Sequence, residues 1–316
     1  MPAPMPTHWD IEKLQGHAAM MVFSALVAGS NSLGKLIAND IDPAALTAVR
    51  FMLAAVLLAA AMAASGGLKR RYFQAPWRYL PLGAAYAGFF VLMFHALQRT
   101  NPVSTSAIFT MMPFFAALMA WGFFGKNSSG LVWAALVLGA FGALWVVFGG
   151  SAQALGAWHL GTGEMLFMLG TASHAAYAVM VPYLRRAEPV AAVTLGVAMS
   201  GALILLVLYW PQIWATDWQA LPMRVWAVLI YLAVFAGIGT FSLITLAAER
   251  LSPAKVTAYT YLTPVWVVII EMAMGHAIPQ PMVLLGGLPI VAALLLLFFE
   301  TPSAGAAARR PRPKRP

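Results

Sequence analysis

The sequence predicts an all-α polytopic membrane protein, with ten transmembrane helices arranged as two inverted five-helix repeats. Three observations carry that expectation. Of 316 residues, 61% are hydrophobic and 9% charged, and the mean hydropathy is +0.79. Apolar runs long enough to cross a bilayer recur along the whole chain, and the second half repeats the first. A soluble domain is about 45–50% apolar and about a quarter charged, so an ordinary soluble enzyme and a disordered chain are both excluded. The net charge of +9 does not signal a nucleic-acid partner, because the 19 basic residues are sparse and lie between apolar runs. The expected partners are the lipid bilayer and a small-molecule substrate. Cysteine is absent, which removes disulfides, thiolate nucleophiles and cysteine-held metals.

A spanning helix needs about 20 apolar residues. Such stretches, numbered spans 1 to 10 in chain order, fall at roughly 16–38, 43–63, 79–98, 103–124, 130–149, 161–183, 190–210, 224–248, 254–274 and 282–299. Turn-forming residues separate them: Asn-Asp-Ile-Asp-Pro after span 1, Ser-Gly-Gly after span 2, Thr-Asn-Pro after span 3, Gly-Lys-Asn-Ser-Ser-Gly after span 4 and Leu-Ser-Pro after span 8. Residues 1–15 read as a polar tail, 16–150 as the first five-helix unit, 151–300 as the second, and 301–316 as a basic disordered tail. A cleaved signal peptide is not expected, because Gly16 to Ala38 is longer than a 7–15-residue signal core. Fifteen of the 19 Lys and Arg residues fall on the side of the N-terminus. That bias puts both termini in the cytoplasm, with the bacterial inner membrane as the expected location.

The repeat is read by superposition. At an offset of 151, Gly88, Arg99, Pro102, Ala107 and Pro113 fall on Gly239, Arg250, Pro253, Ala258 and Pro264. Pro43 and Ala45 fall on Pro189 and Ala191 at an offset of 146. Five spans is an odd number, so the second unit enters the membrane upside down, as in transporters that rock around a midplane site.

With these residues in view, the chain resembles the EamA branch of the drug/metabolite transporter superfamily. The resemblance rests on DPAALTAVRFMLAAVLL in span 2 and on the pair ALQRTNPVSTSAIFTMMPFFAAL and AAERLSPAKVTAYTYLTPVWVVI. It covers nearly all of residues 16–299 and implies a carrier, with export favoured. Members often carry Gly-Glu at the ends of spans 4 and 9, whereas this chain has Gly125-Lys126 and Gly275-His276.

Polar groups inside a span often mark a pathway. Span 1 sets Ser24, Asn31 and Lys35 on one face, and span 6 sets Glu164, Thr171 and His174, with Tyr177 a turn on. Asn31 and His174 lie about 22 and about 20 Å along their spans at 1.5 Å per residue, near mid-membrane from opposite sides. The alternative for such groups is hydrogen bonding between helices. Ser106, Thr110 and Pro113 align with Thr257, Tyr261 and Pro264. Each proline is expected to kink its helix and free the carbonyl of Phe109 or Thr260 toward a site at the repeat interface, unless the kinks are passive. The expected substrate-binding set is Asn31, Tyr86, Thr110, His174, Tyr177 and Tyr261. Tyr259 and Trp266 are further aromatic candidates, and Trp9, Trp77, Trp158, Trp210, Trp214 and Trp218 fit an interfacial belt.

Arg50, about two turns into span 2, is expected to snorkel outward or to pair with Asp40 or Asp42. Glu249 and Arg250 form an interfacial pair, Glu164 and Glu271 lie near span ends, and no carboxylate falls at mid-depth. No GxxxxGK[ST] or HExxH occurs, so no catalytic residue, metal or cofactor is expected. Gly139 and Gly142 in span 5, with Gly286 and Gly287 in span 10, suit helix packing or a homodimer contact. The expected activity is alternating-access export of a small neutral or zwitterionic, amino-acid-like metabolite. Nutrient uptake, an accessory membrane subunit and a lipid-processing enzyme are the alternatives.

Overall fold

The structure is a computed structural model and describes residues 8–157, 160–186, 188–251, 256 and 259–299. Expectations for residues 1–7 and 301–316, for Trp158, for residues 252–255 and for Thr257 and Ala258 lie outside the described residues, as do the side chains of Trp9 and Glu249; residues 8–15, expected as part of a polar tail, are instead helical and lengthen span 1. Eight helices are long and apolar enough to cross a membrane, and two shorter apolar helices complete the series. Span 1 is His8–Ile37, span 2 Pro43–Ala64, span 3 Tyr79–Leu97, span 5 Gly130–Val147, span 6 Thr162–Leu184 and span 7 Val190–Leu208. Span 4 is made of Pro102–Phe109 and Met112–Phe124, span 8 runs from Met223 to Arg250, span 9 is Tyr259–Leu262 with Thr263–Ala273, and span 10 is Pro281–Leu284 with Gly287–Phe299.

Local chemistry sets these boundaries. Asp42 caps span 2 by accepting from the Ala44 and Ala45 amides at 2.9 and 3.0 Å, with Pro43 following it. Asn101 does the same for span 4 through the Ser104 amide, ahead of Pro102. Gly125 and Gly275 end spans 4 and 9 at φ of 62° and 83°, a left-handed cap that glycine adopts without strain. The glycines of the Gly-Lys and Gly-His pairs are therefore backbone requirements. The residue after each is used differently: Lys126 Nζ lies 5.0 Å above the Tyr183 ring, and His276 Nδ1 lies 2.7 Å from Glu271 Oε2.

Pro113 and Pro264 each sit in the first turn of a new helical piece rather than kinking a running helix. Span 4 stops at Phe109, turns through Thr110 and Met111, and restarts; span 9 opens with a 3-10 turn at Tyr259–Leu262. A proline at a helix start loses no hydrogen bond, because that N–H would be unpaired anyway.

Span 8 differs from its counterpart, span 3. Its middle, Tyr231–Gly239, is a π-helix, whereas span 3 is α-helical over Tyr79–Leu97. Pro76-Trp77-Arg78 corresponds to Pro222-Met223-Arg224 at an offset of 146, yet Gly88 corresponds to Gly239 at 151. The second half therefore carries five extra residues between those points, and the π-helix falls within that longer stretch. π-turns of this kind are frequent at functional sites.

The halves interlock. Span 3 packs on spans 6 and 7, span 2 on span 7, and span 1 on spans 8 and 9. Span 5 packs on span 10, and this contact uses the small residues. A Cβ on Gly142 would lie 2.7 Å from the Gly286 carbonyl oxygen, and one on Gly139 would lie 2.6 Å from the Tyr261 ring. Gly139, Gly142 and Gly286 thus serve close approach between helices of one chain, the packing role expected for them, while a Cβ on Gly287 would meet nothing within 4 Å. Large apolar side chains such as Phe123, Val207 and Trp214 project outward, as lipid contact requires.

Candidate functional site

Three pairs of corresponding spans, 1 with 6, 3 with 8 and 4 with 9, enclose a central cavity with about 140 Å³ of room for water-sized molecules. Span 1 contributes Met20, Phe23, Val27, Ser30 and Asn31, and span 6 contributes His174 and Tyr177. Span 3 supplies Tyr86, Phe89, Phe90 and Met93, and span 8 supplies Ala236, Thr240 and Ile244. Phe109 and Met112 come from the broken region of span 4, and Thr260 from the 3-10 turn of span 9. Both helix breaks therefore border the cavity.

Four of the six expected binding residues meet here: Asn31, Tyr86, His174 and Tyr177. His174 stands in an aromatic box, with ring centroids 4.5 Å from Phe89, 5.5 Å from Phe109, 5.6 Å from Tyr86 and 6.1 Å from Tyr177. Its Nδ1 is buried and has no hydrogen-bond partner among the described residues. Asn31 is at the wall, but its polar atoms are engaged. Its Nδ2 donates to the Val27 carbonyl, and its Oδ1 accepts from Thr105 Oγ1 at 3.1 Å, joining span 1 to span 4.

Thr110 and Tyr261 lie outside the cavity. Thr110 is fully buried and donates to the Ala107 carbonyl at 2.7 Å, so the turn points its neighbours Phe109 and Met112 at the cavity instead. Tyr261 is buried against Gly139, Ala135 and Ile290 where spans 5 and 10 meet, while Thr260 takes the cavity position. Tyr259 is 2.8 Å from His17 Nδ1, and Trp266 donates to Ser24 Oγ at 3.0 Å. Both tie span 9 to span 1 and neither lines the cavity.

The ends of the cavity differ. Span 1 begins at the near end and finishes at the far end. Toward the far end, Lys35 Nζ donates to the Leu97 carbonyl at 2.6 Å and Gln98 Nε2 to the Ala38 carbonyl at 2.9 Å. These bonds close span 1 directly against span 3.

Arg50 overturns its expectation. It neither snorkels nor pairs with Asp40 or Asp42; it is 2% exposed inside the bundle, with its guanidinium carbon 3.6 Å from the Phe90 ring centroid. Asp40 is paired with Arg224, and Asp42 is the cap of span 2. Spacing carried the missed signal: Thr47, Arg50 and Phe51 share a helix face, and all three are buried. The apolar wall residues Met20, Phe23, Phe89 and Met93 carry no sequence signal that separates them from lipid-facing residues. Among the described residues, no three His, Asp or Glu side chains converge as a metal-binding group.

Comparison with known proteins adds to this geometry. Residues 14–148 and 161–299 each match the EamA-like transporter family. The chain is similar to "Uncharacterized transporter YyaM" of Bacillus subtilis (strain 168), with 22% identity over 271 residues, covering 85% of this chain and 88% of that protein. It is also similar to "Uncharacterized transporter sll0355" of Synechocystis sp. (strain ATCC 27184 / PCC 6803 / Kazusa), with 25% identity over 197 residues and 58% of each chain covered. A solved crystal structure shares the fold at a TM-score of 0.62 and 18% identity, over 90% of this chain and 96% of the other.

Proposed function

The chain belongs to the EamA-like transporter family, and from that premise we propose that it exports a small neutral or zwitterionic, amino-acid-like metabolite by alternating access. The observation that carries this reading is the composition of the cavity wall: spans 1, 3 and 4 of the first unit face spans 6, 8 and 9 of the second across one central void. A void between two corresponding sets of helices is what a rocking pair of inverted units requires. The interior polarity supports the substrate class. His174, Tyr86, Tyr177, Thr240 and Thr260 offer imidazole and hydroxyl groups, and among the described residues no carboxylate side chain lines the cavity. A multiply charged cation would be left unpaired there, at a cost of several kcal/mol. Phe23, Phe89, Phe90 and Met93 suit an apolar side chain. A lipid-processing enzyme is less well supported, since among the described residues His174 has no acidic partner on the wall.

Metabolite profiling of medium from cells that overproduce the chain tests substrate and direction together. The expected result is accumulation of a zwitterionic metabolite outside, lost in His174→Ala at unchanged protein level. Robust transport of a quaternary ammonium dye, indifferent to His174→Ala, would reject both the substrate class and the site. Depletion from the medium would turn the reading to uptake. In our reading the near end is cytoplasmic. Reporter fusions after residues 68, 126, 186 and 305 should then read cytoplasmic, and fusions after 41 and 156 external; an external C-terminus would remove the inverted arrangement.

A further inference from the structure

Arg50 is a buried charge with no carboxylate paired to it among the described residues. Its Nη1 is enclosed and lacks a hydrogen-bond partner among the described residues. The acids nearest in the sequence are committed elsewhere, Asp40 to Arg224 and Asp42 to the cap of span 2, and Glu188 is committed to Arg78. Glu164 accepts from Thr100, and Glu271 is held by His276. Arginine does not escape burial by losing its proton, and buried charges are normally paired. The Phe90 ring face at 3.6 Å offsets only part of the missing hydration.

A second void lies beside this guanidinium. It has about 30 Å³ of room for water-sized molecules and is bordered by Arg50, Tyr86, Tyr177, Thr194 and Gly237. Tyr86 and Tyr177 line both this void and the central cavity, with ring centroids 4.7 Å apart. The two spaces therefore share an aromatic wall. The small void is too tight for a metabolite but has room for a group the size of one or two waters. The planar guanidinium fork matches a carboxylate through two parallel N–H···O bonds, a geometry a lysine cannot supply.

We propose that Arg50 anchors the carboxylate of the transported molecule, which reaches past Tyr86 and Tyr177 while the rest of the molecule occupies the central cavity. The substrate class is then small apolar molecules carrying one carboxylate, zwitterions included. This rests on the transport reading above in one respect, that the central cavity holds the substrate.

The test uses matched pairs that differ only in the carboxylate: L-leucine against L-leucinamide, and 4-methylpentanoate against 4-methylpentanamide. Each is titrated against the thermal midpoint of the purified full-length protein, since a ligand that binds the folded state raises it. The expected result is at least about a tenfold preference for the acid of a pair, weakened in Arg50→Lys and abolished in Arg50→Gln. Should Arg50→Gln fail to fold, Arg50→Lys carries the test. Wild-type preference in Arg50→Lys overturns the bidentate anchor, as does the absence of any preference in the wild type. Stabilisation by chloride alone, with no discrimination within the pairs, also overturns it by making the site one for an inorganic ion. Flux in proteoliposomes separates the two readings. An Arg50-dependent acid preference without flux sustains the anchor and removes transport. Flux of leucine and leucinamide at equal rates, unchanged in Arg50→Gln, sustains transport and removes the anchor.

Discussion

Two ion pairs join the halves of this molecule at opposite ends, and they differ in burial although their arginines occupy corresponding positions. At the near end, Arg78, just before span 3, meets Glu188, just before span 7, at 2.6 Å. At the far end, Arg224, at the start of span 8, meets Asp40, just before span 2, at 2.8 Å. Arg78 corresponds to Arg224 at the same offset of 146 that places Pro43 on Pro189. The near pair is enclosed, with side chains 5% and 6% exposed, whereas Arg224 is 63% exposed. Arg78 also donates to the Leu184 carbonyl, and the Arg186 amide donates to the second Glu188 oxygen. Glu188 corresponds to Asp42, not Asp40, but Asp42 is spent on capping span 2. The far end therefore uses a carboxylate two residues earlier, in the turn between spans 1 and 2, where it meets an exposed arginine. In the proposed rocking cycle each end must part in turn, so the near end carries the firmer latch.

The largest effect should come from breaking that latch. Arg78→Ala leaves the Glu188 carboxylate enclosed and removes two charge-assisted hydrogen bonds, each kind worth about 1.5–3 kcal/mol. The thermal midpoint of the purified protein should fall clearly, and Glu188→Gln should recover part of the loss in the double variant. An unchanged midpoint would mean that the enclosure does not strengthen the pair and that the two ends are equal.

Acid sharpens the same contrast. Burial pushes the Glu188 carboxyl up, but Arg78 and the backbone amide donors outweigh it and hold it below the usual range. The Asp40 carboxyl is held low chiefly by its hydrogen bond from Arg224. A carboxylate depressed on folding stabilises above its unfolded pKa, and that stability is lost as pH falls through the folded value. The contribution of these two pairs should therefore be constant from about pH 6 to 8 and decline below the ordinary carboxylate range of about 4. The difference between wild type and Glu188→Gln should shrink over that acid interval. A difference that changes between pH 6 and 8 would place the controlling proton elsewhere.

The two ends also measure what the sequence could reveal. Spans, caps and repeat were legible because each depends on local chemistry: a run of apolar residues, an Asp or Asn before a Pro, a Gly with a left-handed cap. Asn31, Tyr86, His174 and Tyr177 were legible as polar or aromatic residues on inward faces near mid-depth. Thr110 and Tyr261 were placed by helical spacing, with Pro113 and Pro264 expected to kink a running helix rather than to start a new one. Where the helix restarts, the facing residue shifts by one, to Phe109 and to Thr260. Arg50 was misplaced because side-chain length permits an arginine to reach water, and only the packing of span 2 against spans 3 and 7 closes that route. The pairing of Arg224 with Asp40 spans 184 residues, a separation at which sequence alone cannot choose between Asp40 and Asp42.

The smallest effect should come from Arg224→Ala. The arginine binds both Asp40 oxygens, at 2.8 and 2.9 Å, but its side chain stands largely in solvent. Exposed pairs gain little, because water screens them and ordering two side chains costs entropy. The thermal midpoint should stay close to wild type, and the residual contribution should vanish in high salt. Any functional consequence should appear in the conformational balance, since this contact joins span 8 to the loop before span 2 at the far end alone. Distances from spin labels on the two loops should shift toward far-end opening in Arg224→Ala, and much less in a charge-reversed pair, Asp40→Arg with Arg224→Asp, which restores the attraction. A fall in midpoint as large as that of Arg78→Ala would erase the contrast between the ends. An unchanged distance distribution would make the far-end pair a surface contact with no part in gating.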